Sequence, residues 1–106
     1  MEKNIELKIF QIISNSTSAK AEYSEAVKCA RRNKFDEAWK HIKNGEDFYS
    51  NAHHYHAELV TMESNGEKFN FSLLLMHAED QMSASEQLRF MSVEVIELYE
   101  RLGKNE

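Results

Sequence analysis

The chain has 106 residues and a formal net charge of −5, with one cysteine, three glycines and no proline. The acidic balance excludes a general nucleic-acid binder, because such a protein needs a basic face to offset phosphates. One cysteine cannot form an internal disulfide, which fits a reducing cytosol, and no apolar run approaches membrane-spanning length. The first four residues do not read as a signal peptide. We therefore expect one cytoplasmic, soluble, all-α domain spanning residues 1–106.

The first predicted helix covers about residues 4–32. Its apolar or small positions recur at alternating intervals of four and three residues, a spacing typical of helices packed nearly parallel to their neighbours. They are Ile5, Ile9, Ile12, Ser16, Ala19, Tyr23, Ala26 and Ala30. A polar run at 14–18 interrupts the middle of this helix, and Asn33 is expected to end it, because asparagine tolerates the left-handed conformation.

The second predicted helix covers about residues 35–63. Its apolar positions are Phe35, Ala38, Trp39, Ile42, Tyr49, Ala52, Leu59 and Val60. Gly45 lies inside it and is expected to loosen the helix without ending it, at about 1 kcal/mol relative to alanine. Asn51 and the histidines of 53–56 form its polar interruption, and Ser-Asn-Gly at 64–66 is the strongest turn signal in the chain.

The third predicted helix covers about residues 71–102, with Ser72 or Asn70 as its cap and Gly103 as its stop. An apolar stripe runs through Ala84, Leu88, Met91, Val95, Leu98 and Leu102, and counting backwards along it leads to His77. Leucine or isoleucine would be usual there, so the imidazole needs a structural partner or a function. Asp80, three residues on, neighbours it and could orient its ring or hold a cation.

Three helices of about 30 residues would each be about 45 Å long. Such slender rods enclose a thin core, so we expect self-association. In an up-down-up bundle the polar interruptions of the three helices would lie at comparable heights and could form one pocket. His53, His56 and Asp80 could also assemble a Zn²⁺-like site, but their spacing does not match a known metal motif, and histidines on the surface or facing the bundle are the favoured interpretation. No known catalytic elbow or phosphate loop is present.

Several short motifs occur together in a characteristic order. Residues 74–80 read Leu-Leu-Met-His-Ala-Glu-Asp, and the other motifs are Ala-Lys at 19–20, Glu-Ala at 25–26, Phe-Asp-Glu-Ala at 35–38, Asn-Ala-His at 51–53 and Ser-Asn-Gly-Glu at 64–67. In this set the chain resembles the lactose/cellobiose-type IIA component of the bacterial phosphoenolpyruvate-dependent sugar phosphotransferase system, over nearly its whole length. Three positions depart from the family pattern. Gln81 stands where a histidine is common, His56 where a glutamine is common, and Thr17 where a glycine is frequent.

The resemblance implies an antiparallel three-helix bundle, three protomers of which form a nine-helix homotrimer. It implies a phosphotransferase component with a phosphohistidine intermediate: His77 accepts a phosphoryl group from the carrier HPr. His77 then passes it to a cysteine of the B component, and the membrane contact is indirect, through the sugar-binding C component. It also implies that Asp80 meets its two symmetry copies near the threefold axis around a Mg²⁺ ion, one per trimer. Donors to the phosphoryl oxygens would be His53 or His56, with the hydroxyls of Ser16 and Thr17.

Two other functions would also explain a histidine on a helix. A histidine phosphotransfer domain of a two-component relay is also helical, but it tends to follow its histidine with a lysine and a small residue, which residues 78–81 do not supply. A helical oligomerisation or adaptor module would use its histidines structurally. Transfer of a phosphoryl group from HPr distinguishes the three interpretations.

Overall fold

The computed structural model describes residues 3–69 and 72–104, which form three helices. They are α1 (Lys3–Arg31), α2 (Phe35–Ser64) and α3 (Leu73–Lys104), each beginning and ending within two residues of the expected bounds. Side-chain pairs fix their directions: Lys8 of α1 contacts Glu58 late in α2, and Trp39 early in α2 contacts Glu100 late in α3. Neighbouring helices are therefore antiparallel, and the predicted three-helix bundle is confirmed. The bundle measures 58 × 21 × 16 Å.

Both α1 and α2 end in the same hydrogen-bonded motif. After α1, Asn33 has a φ of 63°, and the N–H of Lys34 donates to the carbonyl of Cys29 at 2.9 Å. After α2, Gly66 has a φ of 98°, and the N–H of Glu67 donates to the carbonyl of Met62 at 3.1 Å. In each case a residue in the left-handed region reverses the chain and satisfies carbonyls that the helix leaves open. The predicted break at Asn33 is confirmed.

The third helix begins with a side-chain cap. The Ser72 hydroxyl accepts a hydrogen bond from the backbone N–H of Leu75 at 3.1 Å, as an N-cap serine should. The alternative cap, Asn70, and the alternative first residue, Phe71, lie outside the described residues. No helix in the part of the chain that the structure describes has the length and hydropathy to span a membrane.

The first helix is the centre of the protomer. All eight positions of its predicted stripe are buried. The apolar ones divide into two clusters: the three isoleucines pack with Leu59, Ala78 and Met82, and Ala19, Tyr23, Ala26 and Ala30 pack with Ala38, Ile42 and Ile96. The predicted core face of α1 is therefore confirmed. On α2 the predicted stripe is mostly buried or half-buried, but Val60 is exposed.

The face of α3 that packs inside the protomer is only partly the predicted one, since Leu88 of the predicted stripe packs against the core but most of the stripe does not. The buried positions are Ala78, Met82, Ser85, Ser92 and Ile96. Met91, Leu98 and Leu102 of the predicted stripe are 55%, 58% and 54% exposed. Because α3 carries apolar residues on two sides, its periodicity alone did not identify the inner one. Small side chains at 78, 85 and 92 let α3 approach α1 closely, and this leaves the bulkier stripe outside.

Gly45 serves packing rather than flexibility. Helix α2 continues through it, and a Cβ built there would overlap the ring of Tyr23, at 2.7 Å from Cδ1. The ring of Tyr23, fully buried, crosses from α1 into the space that this missing side chain leaves. Glycine is required at this position because an aromatic ring lies against the α2 backbone.

Candidate functional site

His77 and Asp80 lie on the exposed side of α3, in its first two turns. Residues three apart on a helix share a face, and both side chains are exposed. Because His77 has no hydrogen-bond or ion-pair partner within the described residues, its ring nitrogens are accessible from solvent. An accessible imidazole can act as a nucleophile or a metal ligand, and a carboxylate one turn away adds negative charge.

An open depression of about 1120 Å³ lies over this part of α3. Among the described residues its lining comes from α3: Leu73, Leu74, Met76, His77, Glu79, Asp80 and Ser83. Leu73 is 82% exposed, although leucine is normally buried in a protein of this kind. A polar site surrounded by exposed apolar side chains is typical of a surface that contacts another macromolecule.

His56 lies close to this region but is directed to a different partner. Its Nε2 is 2.9 Å from the Glu79 carboxylate, an interaction that joins α2 to α3. Glu79 is two residues from His77, and side chains two apart point in different directions, about 200° apart around the helix. Within one protomer His56 therefore pairs across the α2–α3 boundary and does not line the depression around His77.

The other two histidines of this α2 segment are directed elsewhere. His53 is exposed, with its ring centroid 6.4 Å from that of Tyr49. His54 is exposed and lies 3.5 Å from the Glu58 carboxylate. Among the described residues no group of three His, Cys, Asp or Glu side chains is placed to hold a metal ion. The protomer thus does not form the Zn²⁺-like site considered for His53, His56 and Asp80.

The hydroxyls of α1 do not reach the depression. Ser16 is fully buried, Thr17 is exposed, and neither residue lines the depression. The polar interruptions of α1 and α2 are level with each other, since the Asn51 side chain donates to Asn15 at 3.5 Å. None of their residues lines the depression around His77, so the three polar interruptions do not meet in one pocket of the protomer.

Glu79 is the residue at this site that the sequence analysis missed. Its signal is a regular register between α2 and α3: Glu79 pairs with His56, and Glu86, seven residues on, pairs with Tyr49, seven residues earlier. Arg89 and Glu46 satisfy the same register. A heptad of glutamates on α3 facing hydrogen-bond donors on an antiparallel α2 would have predicted these contacts.

Comparisons with known proteins agree on one family. A family model described as the lactose/cellobiose-specific IIA subunit of the PTS system matches residues 7–100. The chain is 35% identical over 102 residues to the lichenan-specific phosphotransferase enzyme IIA component of Bacillus subtilis, covering 96% of this chain and 93% of that protein. It is 34% identical over 90 residues to the oligo-beta-mannoside-specific EIIA component of the same bacterium, covering 85% and 82%.

Solved structures show the same similarity. The crystal structure of the PTS cellobiose-specific enzyme IIA from Bacillus anthracis superposes with a TM-score of 0.95 at 32% identity, over 100% of this chain and 97% of that chain. A solution structure of the IIA(chitobiose)–HPr complex of Escherichia coli gives a TM-score of 0.76 at 27% identity, over 97% and 99%. The family model, the relatives and the solved structures each match this chain over almost its full length. The chain therefore belongs to the lactose/cellobiose-specific IIA family of the PTS sugar phosphotransferase system.

Proposed function

We propose that this chain is a phosphocarrier in which His77 accepts a phosphoryl group from phospho-HPr and passes it to a cysteine of the B component. The observation that carries the proposal is the position of His77: an imidazole with no partner in the described structure, exposed in a depression with an apolar border. HPr as the donor is supported by the structural similarity to a IIA–HPr complex. The protein would work in the cytoplasm and reach the membrane only through the C component.

The chemistry needs little more than an accessible ring nitrogen. A neutral imidazole nitrogen of His77 attacks phosphorus, a new N–P bond forms, and the N–P bond to the donor histidine of HPr breaks. In the second transfer a thiolate sulfur of the B component attacks phosphorus, an S–P bond forms, and the N–P bond to His77 breaks. Such transfers depend mainly on alignment and on stabilisation of the phosphoryl oxygens. An exposed His77 suits this role, because each partner must bring its own reactive atom within bonding range.

The assembly that we propose is a homotrimer built on the exposed α3 stripe, defined as Leu73, Asp80, Met91, Leu98 and Leu102. The half-buried Ala84 and Val95 lie between them at the same three- and four-residue spacing. A stripe with this period buries itself when parallel copies of the helix pack around a common axis. Three copies of the three-helix protomer would form the nine-helix bundle that the family resemblance implies.

In that assembly Asp80 would hold a cation. The three Asp80 carboxylates would converge near the axis, where like charges repel unless a positive ion neutralises them. Oxygen ligands favour Mg²⁺, which commonly keeps several of its waters and needs few carboxylates. The residues fit such an ion, because Asp80 is exposed on the stripe and Ala84, the next residue of α3 at this spacing, has a small side chain. The ion would neutralise the axis, and the transfer chemistry would belong to His77.

We also propose that His53 and His56 donate hydrogen bonds to the phosphoryl oxygens. Both lie on α2, and neither lines the depression around His77 of the same protomer. They would therefore act across the boundary between protomers, on a phosphoryl group carried by a neighbouring copy. The exposed ring of His53 and the quarter-exposed ring of His56 support this role.

Phosphoryl transfer from HPr tests the central proposal. With phosphoenolpyruvate, enzyme I and HPr, the protein should gain a phosphoryl group that is labile in acid and stable in alkali, as a phosphoramidate is. His77→Gln should abolish this labelling while circular dichroism and oligomer mass stay unchanged. His54→Gln is the matched control, because that exposed histidine lies outside the depression, and its labelling should be normal. Undiminished labelling of His77→Gln would overturn the assignment.

A further inference from the structure

The boundary between α2 and α3 opens into a second cavity that the phosphocarrier function does not use. It is a groove of about 410 Å³, lined by Tyr23, Glu46, Tyr49, Glu86, Arg89 and Phe90. Its α3 residues begin nine positions after His77, about 13 Å along the helix. The groove exists because Gly45 presents no side chain, so the ring of Tyr23 can pass from α1 beneath α2 and form the floor.

The floor carries an unsatisfied hydrogen-bonding group. Tyr23 is 0% exposed, and its hydroxyl has no partner among the described residues. Burial raises the pKa of this phenol to about 12, with the Arg89 charge acting in the opposite direction and those of Glu46 and Tyr49 adding to the rise. The hydroxyl therefore keeps its proton at neutral pH. Since buried polar groups in proteins normally have partners, this O–H needs an acceptor that the described residues do not supply.

The walls of the groove supply the complementary groups. The guanidinium of Arg89 forms an ion pair with Oε2 of Glu46. Its Nε donates to that oxygen at 2.8 Å, and its Nη2 lies 2.6 Å from the same oxygen. The Tyr49 hydroxyl donates to Oε2 of Glu86 at 3.2 Å. The second oxygen of each carboxylate has no hydrogen-bond donor within the described structure. The groove thus offers one buried donor, two acceptors and the remaining N–H groups of Arg89, beside the 61% exposed ring of Phe90.

We infer that this groove binds a small neutral molecule carrying several hydroxyl groups. Each hydroxyl both donates and accepts, so one such molecule can accept from Tyr23 and donate to Glu46 and Glu86. An anion would be repelled by two carboxylates against one guanidinium, and a simple cation has no acceptor for the Tyr23 proton. The aromatic rings can cover the C–H face of the ligand. The volume lies at the lower end of the range for ligand pockets, which suits a molecule of monosaccharide size.

The test is a titration of the full-length protein observed by ¹H–¹⁵N NMR. The probes are glycerol, myo-inositol and glucose, with methylammonium chloride as the cationic probe. At least one polyol should give saturable shifts centred on the amides of Glu46, Tyr49, Glu86 and Arg89. Tyr23→Phe, which keeps the ring and removes the hydroxyl, should weaken binding by about tenfold, and Glu86→Gln should also weaken it. Tyr55→Phe, outside the groove, should bind normally.

The outcomes separate the alternatives. Saturable shifts from polyols that weaken in Tyr23→Phe and persist in Tyr55→Phe would support the site. The inference is overturned if no polyol gives saturable shifts, if Tyr23→Phe binds as well as the parent, or if methylammonium alone binds. Phosphoryl transfer from HPr to His77, measured on the same samples, reports separately on the proposed function.

Discussion

His56 and Glu79 form a 2.9 Å hydrogen bond between α2 and α3. Glu79 lies two residues after the proposed phosphoryl acceptor, and its pairing with His56 joins the two helices at that level. The hydrogen bond also occupies Nε2 of His56, which we propose as a hydrogen-bond donor to the phosphoryl oxygens. The position of the second helix relative to the site is therefore coupled to the availability of His56.

The packing of Gly45 against Tyr23 predicts a size-dependent loss of stability. Gly45→Ala gains helix propensity worth about 1 kcal/mol. It also places a methyl group in the space that the Tyr23 ring occupies, and such overpacking typically costs about 1–3 kcal/mol of stability. The net effect on the free energy of unfolding should be destabilising, and the melting temperature should fall by several degrees.

Gly103→Ala is the matched control, because a Cβ at that helical position meets nothing within 4 Å. It should leave the melting temperature unchanged or raise it slightly. Replacing Tyr23 with alanine in the Gly45→Ala background should remove the clash, so the alanine at 45 should then no longer destabilise. A Gly45→Ala protein more stable than its parent would contradict the packing observed here.

Local signals predicted the fold well, and the inner face of α3 is where they failed. Asn33 and Gly66 were recognisable as helix ends, since few residues tolerate a positive φ. The α1 stripe was recognisable because α1 has a single apolar face that contacts both other helices. Helix α3 has two such faces, and the choice between them depends on the small residues at 78, 85 and 92, which a count of large apolar residues does not weigh.

The candidate site, like the fold, was only partly predictable from the sequence. The importance of His77 and Asp80 followed from their spacing and from the family motif. Their exposure did not, because it depends on which face of α3 packs against α1. The pairing of His56 with Glu79 depends on the register of two helices that contact each other only after folding. Tyr23 and Gly45 are 22 residues apart in sequence, and periodicity gives no sign of their contact.

The exposed α3 stripe predicts a trimer that a single charge disrupts. Light scattering coupled to size exclusion should give three times the chain mass of 12.4 kDa, or 37.2 kDa. Met91→Glu would place three carboxylates together in the apolar interface, so the protein should become monomeric while keeping its helical content. Phe48→Glu, an exposed change on the α1–α2 side, should remain trimeric. A parent protein that elutes as a clean monomer or dimer would disprove the assembly.

Asp80 predicts the location of the cation. In Asp80→Leu three mutually repelling carboxylates become apolar contacts, so the trimer should persist with equal or greater stability, while bound Mg²⁺ disappears. Metal analysis of protein dialysed against Mg²⁺ should give one ion per trimer for the parent and none for the variant. Asp47→Leu removes an exposed carboxylate on a different helix and should retain the ion. A parent trimer that binds no cation would exclude the axial site.

The two α2 histidines predict graded effects on transfer. If they donate to phosphoryl oxygens, His53→Gln and His56→Gln should each slow phosphorylation by HPr about tenfold, as expected for one lost hydrogen bond, without abolishing it. Glu79→Gln leaves His56 in place but weakens its pairing across the helix boundary. It should alter the rate in the presence of His56 and have no further effect in the His56→Gln background. Rapid-quench transfer from labelled HPr measures the four variants against the parent. Single and double variants with additive losses would show that Glu79 acts independently of His56, and labelling abolished by His53→Gln alone would move the acceptor to the second helix.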